Sequence, residues 1–167
     1  MLLAADEIRE LIENERMIED YKDLDIQLQP NGFDLRIAKI EIIKYDLETP
    51  ELSFMYKKAP SYKDVTGNGK VLRVGYYLLT MAERVNLPLN IAAIPMNRTS
   101  LFRFGSFIAG GWYDVGYRGT PQTGLQVTYP IILEPDSRVM QLGFLRVDNK
   151  GGHRYNGAYQ EGDRHAS

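Results

Sequence analysis

A chain of 167 residues with a formal net charge of −2 can bury roughly 70% of the surface its unfolded form exposes. That allows one domain with a true core, and gives no global pull toward nucleic acid or anionic membrane. The sequence has no cysteine, which excludes disulfides and thiolate metal sites and fits a reducing, cytoplasmic setting. No apolar run approaches the ~20 residues that span a bilayer, and Met1-Leu2-Leu3-Ala4-Ala5-Asp6-Glu7 turns acidic too early for a signal peptide.

Asp6 to Arg16 reads as a short helix, capped by Asp6, with Ile8, Leu11 and Ile12 at helical spacing. Residues 1–20 therefore form a helical N-terminal region. The signal then becomes β. In Phe33 to Ile43, Phe33, Leu35 and Ile37 share one face and Asp34 and Arg36 the other. Leu47 to Lys70 is polar and punctuated by Thr49-Pro50, Ala59-Pro60 and Gly67-Asn68-Gly69, a surface excursion between strands. Val71 to Val74 leads into a strand over Gly75–Thr80, followed by Glu83-Arg84-Val85. Further short strands are Ile91–Pro95, Ser106–Asp114, Gly124–Thr128, Ile131–Leu133 and Val139–Val147. Many short strands between Gly and Pro turns predict an all-β fold, a distorted jelly roll or barrel. The polar, Gly-rich stretch 149–167 lacks apolar periodicity and reads as a tail that is mobile when nothing is bound. No Gly-rich loop opens a helix, so nucleotide-binding fingerprints of the Walker and Rossmann kind are absent.

Four segments carry candidate chemistry. Gln29 to Arg36 ends in Asp34-Leu35-Arg36. Asn97-Arg98-Thr99-Ser100-Leu101-Phe102-Arg103 sets two hydroxyls between two guanidinium groups, and those groups suit phosphate oxygens. A solvated turn is the bland reading of the same residues. Gly110 to Gly119 combines four glycines, Trp112, Tyr113 and Tyr117 with one carboxylate, Asp114, at the mouth of a hairpin. A carboxylate there can orient a water and take its proton; capping a turn is its commoner role beside glycine. Arg138 to Leu142 precedes Tyr155-Asn156-Gly157-Ala158-Tyr159-Gln160. His153 and His165, both in the tail, make no metal centre without further ligands.

In this order the blocks resemble the superfamily of trimeric dUTPases and dCTP deaminases, from about Gln29 to Gln160, most closely a deaminase-like dUTPase. The matching pieces are an Asp-Leu-Arg strand start, an Arg-Ser-Ser-like turn, the Asp hairpin, an Ala-Gln-Leu-like strand and a Tyr-Gly-Tyr-Gln-like tail. Tyr77 to Pro88 also resembles the stretch before the arginine block. The resemblance implies one dUTPase-like domain over 1–167 and a homotrimer with sites at subunit interfaces. It implies a deoxyuridine nucleotide as substrate, with no nucleic-acid or membrane partner.

By the same resemblance Asp114 activates the water. Arg98, Thr99, Ser100 and Arg103 line the phosphates, Tyr117 stacks under the deoxyribose, and Gly116 and Gln122 belong to the base-reading hairpin Gly116–Gln126. Gln141 touches the triphosphate or a neighbouring loop. Tyr155, Tyr159 and Gln160 fold over the nucleotide. Mg²⁺ is held by substrate phosphates and water, and not directly by the protein. Asp34 has two readings, a local bond to turn backbone or an organiser of the metal-bound water. Trp112 is assigned to core or subunit packing. Ala158 stands where the family often has Lys, leaving Arg154 or Arg164 to substitute.

The superfamily's two reactions need different residues. Deamination needs a glutamate about ten residues after the hairpin Asp; here that position is Gly124, or Gln126 with a two-residue shift. Neither side chain exchanges a proton at neutral pH, and the nearest acid downstream, Glu134, follows Pro130. Tyr117 stands where deaminases tend to carry Phe or Trp. The expectation is Mg²⁺-assisted hydrolysis of dUTP to dUMP and pyrophosphate. The alternatives are dCTP deamination, alone or coupled to hydrolysis, a non-catalytic nucleotide-binding regulator, and a structural jelly-roll subunit.

Overall fold

The structure is a computed structural model and describes residues 1–44, 61–157 and 160. The chain opens with α1 (Ala5–Glu15), β1 (Ile18–Glu19), α2 (Leu24–Gln27), β2 (Leu28–Gln29) and the long β3 (Gly32–Lys44). Next come β4 (Ser61–Asp64), β5 (Val71–Leu72), β6 (Gly75–Met81), β7 (Arg84–Asn86) and β8 (Ile91–Asn97). The last third carries α3 (Thr99–Arg103), β9 (Ser106–Ala109), β10 (Arg118–Gly119), β11 (Gln122–Val127), β12 (Ile131–Ile132) and β13 (Arg138–Arg146).

The main sheet runs β8-β13-β3-β6-β11-β9, antiparallel throughout, with β2 and β4 also paired to β3. It curls into a nearly closed barrel, the all-β architecture expected from the sequence. Strand β3 turns the corner. Its first half pairs with β13, Leu142 opposite Phe33 and Gln141 opposite Asp34. Its second half pairs with β6, Ile40 opposite Leu79 and Ile42 opposite Tyr77. The register slips between Ile37 and Lys39, and an extra residue there bends a strand and raises its twist. The slip also changes which parity faces inward. Phe33, Leu35 and Ile37 are buried before it, and Ile40 after it. These four join Leu79, Met81, Leu125, Val127, Met140, Leu142 and Phe144 in the core.

Helix α1 packs Ile8 and Ile12 on this core. It starts one residue earlier than expected. Its N-cap is Ala4, whose N–H is accepted 3.4 Å away by Glu7, so Asp6 is a first-turn residue and not the cap. Two short helices were not expected. α2 is capped by Asp23, which accepts the Ile26 N–H at 3.0 Å, and α3 follows Arg98. The excursion over 47–70 contains a strand, β4, on the free flank of β3; residues 47–60 and both of its Pro turns lie outside the described residues. The strand expected to run to Asp114 ends at Ala109. Gly110 lies against Pro95 and Thr123 so closely that a β-carbon there would sit 2.6 and 2.9 Å from their atoms.

One buried polar network ties the N-terminal region to the barrel. Glu83 is fully buried. It accepts Arg36 Nε at 2.7 Å and Gln27 Nε2 at 2.8 Å on one oxygen, and the Arg36 N–H at 2.9 Å on the other. Arg36 also reaches Asp136 at 2.8 Å and the Asp20 carbonyl at 2.6 Å. A buried charge is tolerated when it is paired and hydrogen-bonded in this way. No helix of the described residues is long and apolar enough to cross a membrane.

Candidate functional site

The candidate residues fall into two clusters joined by β8. The first surrounds Asp34, whose strand pairing opposite Gln141 sets it beneath the end of β8. Its carboxylate is almost wholly buried. One oxygen accepts Arg98 Nε at 2.8 Å and Arg138 Nη1 at 3.3 Å. Arg98 also donates through Nη1 to the Arg138 carbonyl at 2.8 Å, and Arg138 to the Ile26 carbonyl at 2.6 Å. Burial raises the Asp34 carboxyl above the ordinary value, against the opposing pull of Arg98 and then Arg138. Arg98 is thus aimed by a fixed anion beneath it, and fixed orientation suits a phosphate-binding guanidinium. Thr99 and Ser100 are exposed in the first turn of α3 and Arg103 at its end. Half-buried Gln141 completes the group.

Of the two readings of Asp34, the bond to turn backbone is not what the structure shows: the carboxylate meets two guanidinium groups, those of Arg98 and Arg138. Arg138, to which sequence reasoning gave no role, is the second cation of this cluster.

The second cluster is the hairpin segment Gly110–Gly119. A two-way backbone bridge holds it to β8, Ala93 N to Tyr113 O at 2.8 Å and Tyr113 N to Ala93 O at 2.9 Å. Tyr113 is buried and donates its hydroxyl to the Gln122 carbonyl at 2.8 Å. Burial first, and then Tyr117, pushes that phenol far above its ordinary value, so it remains a donor. Asp114 is exposed, and its carboxylate meets no donor or cation among the described residues. Gly116 has φ of 74° and lies against Arg154, whose Cβ would be 2.9 Å from any β-carbon there.

The tail docks on this segment. Tyr155 N donates to the Val115 carbonyl at 2.8 Å. The Gln160 amide accepts the Arg118 N–H at 3.2 Å and donates to the Gly116 carbonyl at 3.0 Å. Tyr117 is buried between Tyr113, at 5.1 Å between ring centroids, and Tyr155, at 5.9 Å. Tyr155 thus packs against the ring expected to stack under the sugar, and the described tail residues lie bound to the hairpin. Tyr159, Ala158, Arg164 and His165 lie outside the described residues. Trp112 is 61% exposed, which takes it out of the chain's core.

The remaining feature is on β11. Gln122, Gly124 and Gln126 face away from the core residues Leu125 and Val127, as strand alternation requires. The Gln122 amide donates to Thr80 Oγ1 at 3.1 Å and that of Gln126 to the Gly75 carbonyl at 3.3 Å. Over Gly124 lies the phenol of Tyr76. Its oxygen occupies the volume that a β-carbon at 124 would need. Nothing in the local sequence marks Tyr76, because the contact depends on the pairing of β6 with β11.

From Ala93 to Arg98 is five residues of extended chain, about 16 Å. One chain therefore sets the arginine cluster and the Asp114 hairpin well apart along β8.

A family model described as dCTP deaminase-like matches residues 2–147. The chain is 34% identical over 169 residues to a protein of Methanosarcina mazei named "Probable deoxyuridine 5'-triphosphate nucleotidohydrolase", covering 95% of this chain and 96% of that protein. It is 31% identical over 172 residues to a protein of Persephonella marina named "dCTP deaminase, dUMP-forming", covering 96% and 92%. Among solved structures, a 2'-deoxycytidine 5'-triphosphate deaminase from Agrobacterium tumefaciens matches with a TM-score of 0.65 and 25% identity over 86% of this chain. This chain spans 47% of the length of that one.

Proposed function

The chain belongs to the dCTP deaminase-like family, and on that footing we propose that it hydrolyses dUTP to dUMP and pyrophosphate. The observation that carries this choice is Gly124. A deaminase of this family is expected to present a carboxylate there, or at Gln126 with a two-residue shift; this chain has an acid at neither position, and the Tyr76 phenol lies over Gly124. Glu134, the next acid along the chain, is exposed beyond β12. The name of the Methanosarcina relative agrees with hydrolysis, and that of the Persephonella relative keeps dCTP deamination as the second reading.

In the proposed reaction Asp114 orients a water for in-line attack on the α-phosphorus and takes its proton. Its exposed, uncommitted carboxylate suits that task. Arg98, aimed by Asp34, and the Thr99 and Ser100 hydroxyls stabilise phosphate charge through preorganised donors. Among the described residues no group of three or more acids and histidines could hold an ion. In this proposal a cation is held by substrate oxygens and water, and Mg²⁺ bound that way would screen the triphosphate charge. The distance along β8 between Arg98 and Asp114 favours a site shared between copies of the chain. Exposed Phe102 on α3, Phe104 just after it and Phe107 on β9 supply apolar surface for such an interface, and a homotrimer is the assembly proposed.

The test is to incubate the protein with Mg²⁺ and, separately, dUTP and dCTP, and to separate the products by chromatography. Formation of dUMP and pyrophosphate from dUTP with dCTP untouched is expected. A deaminated product from dCTP overturns the choice.

A further inference from the structure

The Tyr76 phenol over Gly124 stands on the face of β11 that carries Gln122 and Gln126. In the register of β6 with β11, Leu78 is opposite Gly124 and Tyr76 opposite Gln126. Tyr76 therefore reaches Gly124 diagonally, and the absent side chain at 124 is what lets it lie down there. The two flanking amides already donate to Thr80 and Gly75. The Tyr76 hydroxyl has no partner among the described residues, and the residue is 40% exposed. A ring laid over a glycine on the next strand is also a purely structural device. That device explains the ring and leaves the uncommitted hydroxyl unaccounted for.

We propose that Tyr76 is a specificity-determining residue: its hydroxyl donates a hydrogen bond to the 4-oxo group of a bound uracil, and its ring fills the space an acid at 124 would need. This rests on the hydrolase reading given above. A 4-oxo group takes the hydroxyl's hydrogen; against the 4-amino group of cytosine the hydroxyl must turn and accept, and its own hydrogen then meets no acceptor among the described residues. The one side chain would thus favour uracil and deny the position to deamination chemistry.

Tyr76→Phe keeps the ring over Gly124 and removes only the hydroxyl. The expected result is a KM for dUTP raised about fivefold, the worth of one neutral hydrogen bond, with kcat little changed. The calorimetric preference for dUMP over dCMP falls by the same factor, and the melting temperature stays at the wild-type value. An unchanged preference overturns the proposal. So does a loss of dUTP activity that tracks a fall in melting temperature, since that marks a packing role. If the wild type turns over neither nucleotide, the hydrolase reading fails by itself. Calorimetric affinities for dUMP and dCMP then test Tyr76 in the same two proteins. A preference for dUMP that shrinks in Tyr76→Phe sustains the proposal. An unaltered preference, or binding of neither ligand, overturns it.

Discussion

Asp34 and Asp114 are two aspartates of one chain put to different work by their surroundings. Asp114 is exposed and uncommitted. Asp114→Asn should lower turnover about a hundred- to ten-thousandfold while nucleotide still binds, as parallel turnover and calorimetric measurements would show. Asp34 is buried under two guanidinium groups, and burial raises its carboxyl above 3.8. The folded protein therefore takes up this proton at a higher pH than the unfolded chain does. Between the raised value and 3.8, acidification favours the folded state at this group. The same protonation discharges the anchor of Arg98. The acid limb of kcat/KM should accordingly begin above pH 3.8, and Asp34→Asn, neutral throughout, should remove that limb along with part of the activity. A pH–rate profile that keeps the limb in Asp34→Asn would assign it to another group.

Elements show where sequence reading succeeds and where it stops. The alternation of Phe33, Leu35 and Ile37 announces β3, and glycines beside a lone carboxylate announce the Asp114 hairpin. The slip at Ile37/Lys39 left no local mark, because it depends on which partner strand each half of β3 meets. Arg138 reaches Asp34 across 104 residues of sequence, and Tyr76 reaches Gly124 by a strand register; neither is encoded in a window. Glu83 is the clearest case. Its segment reads as ordinary strand, yet it is the buried anion that joins β3 to α2 through Arg36 and Gln27. Removing Glu83 leaves the Arg36 guanidinium only its exposed acidic partner, Asp136, and strips the buried Gln27 amide of its carboxylate acceptor. Glu83→Ala should cost about 3–5 kcal/mol, read as a lowered urea midpoint. Loss within 1 kcal/mol, about the worth of a surface pair, would mean the network is not holding the N-terminal region.

At the scale of the molecule, the two clusters set apart along β8 make a prediction about assembly. If each site takes Arg98 from one chain and Asp114 from another, Arg98→Ala and Asp114→Asn are each inactive alone, but mixed oligomers rebuild intact sites. Unfolding and refolding an equimolar mixture should restore about a quarter of wild-type activity by random assortment. A mixture as inactive as its components would place both groups in one chain's site. Such an experiment needs a signal for assembly itself, and the chain already holds one. Trp112 is the sole tryptophan, and it stands in water on the segment that a second copy, the tail or a nucleotide would cover. Its emission, red-shifted while the ring is wet, moves to shorter wavelength when any of them closes over it. The protein thus reports optically on its own site, with no label attached.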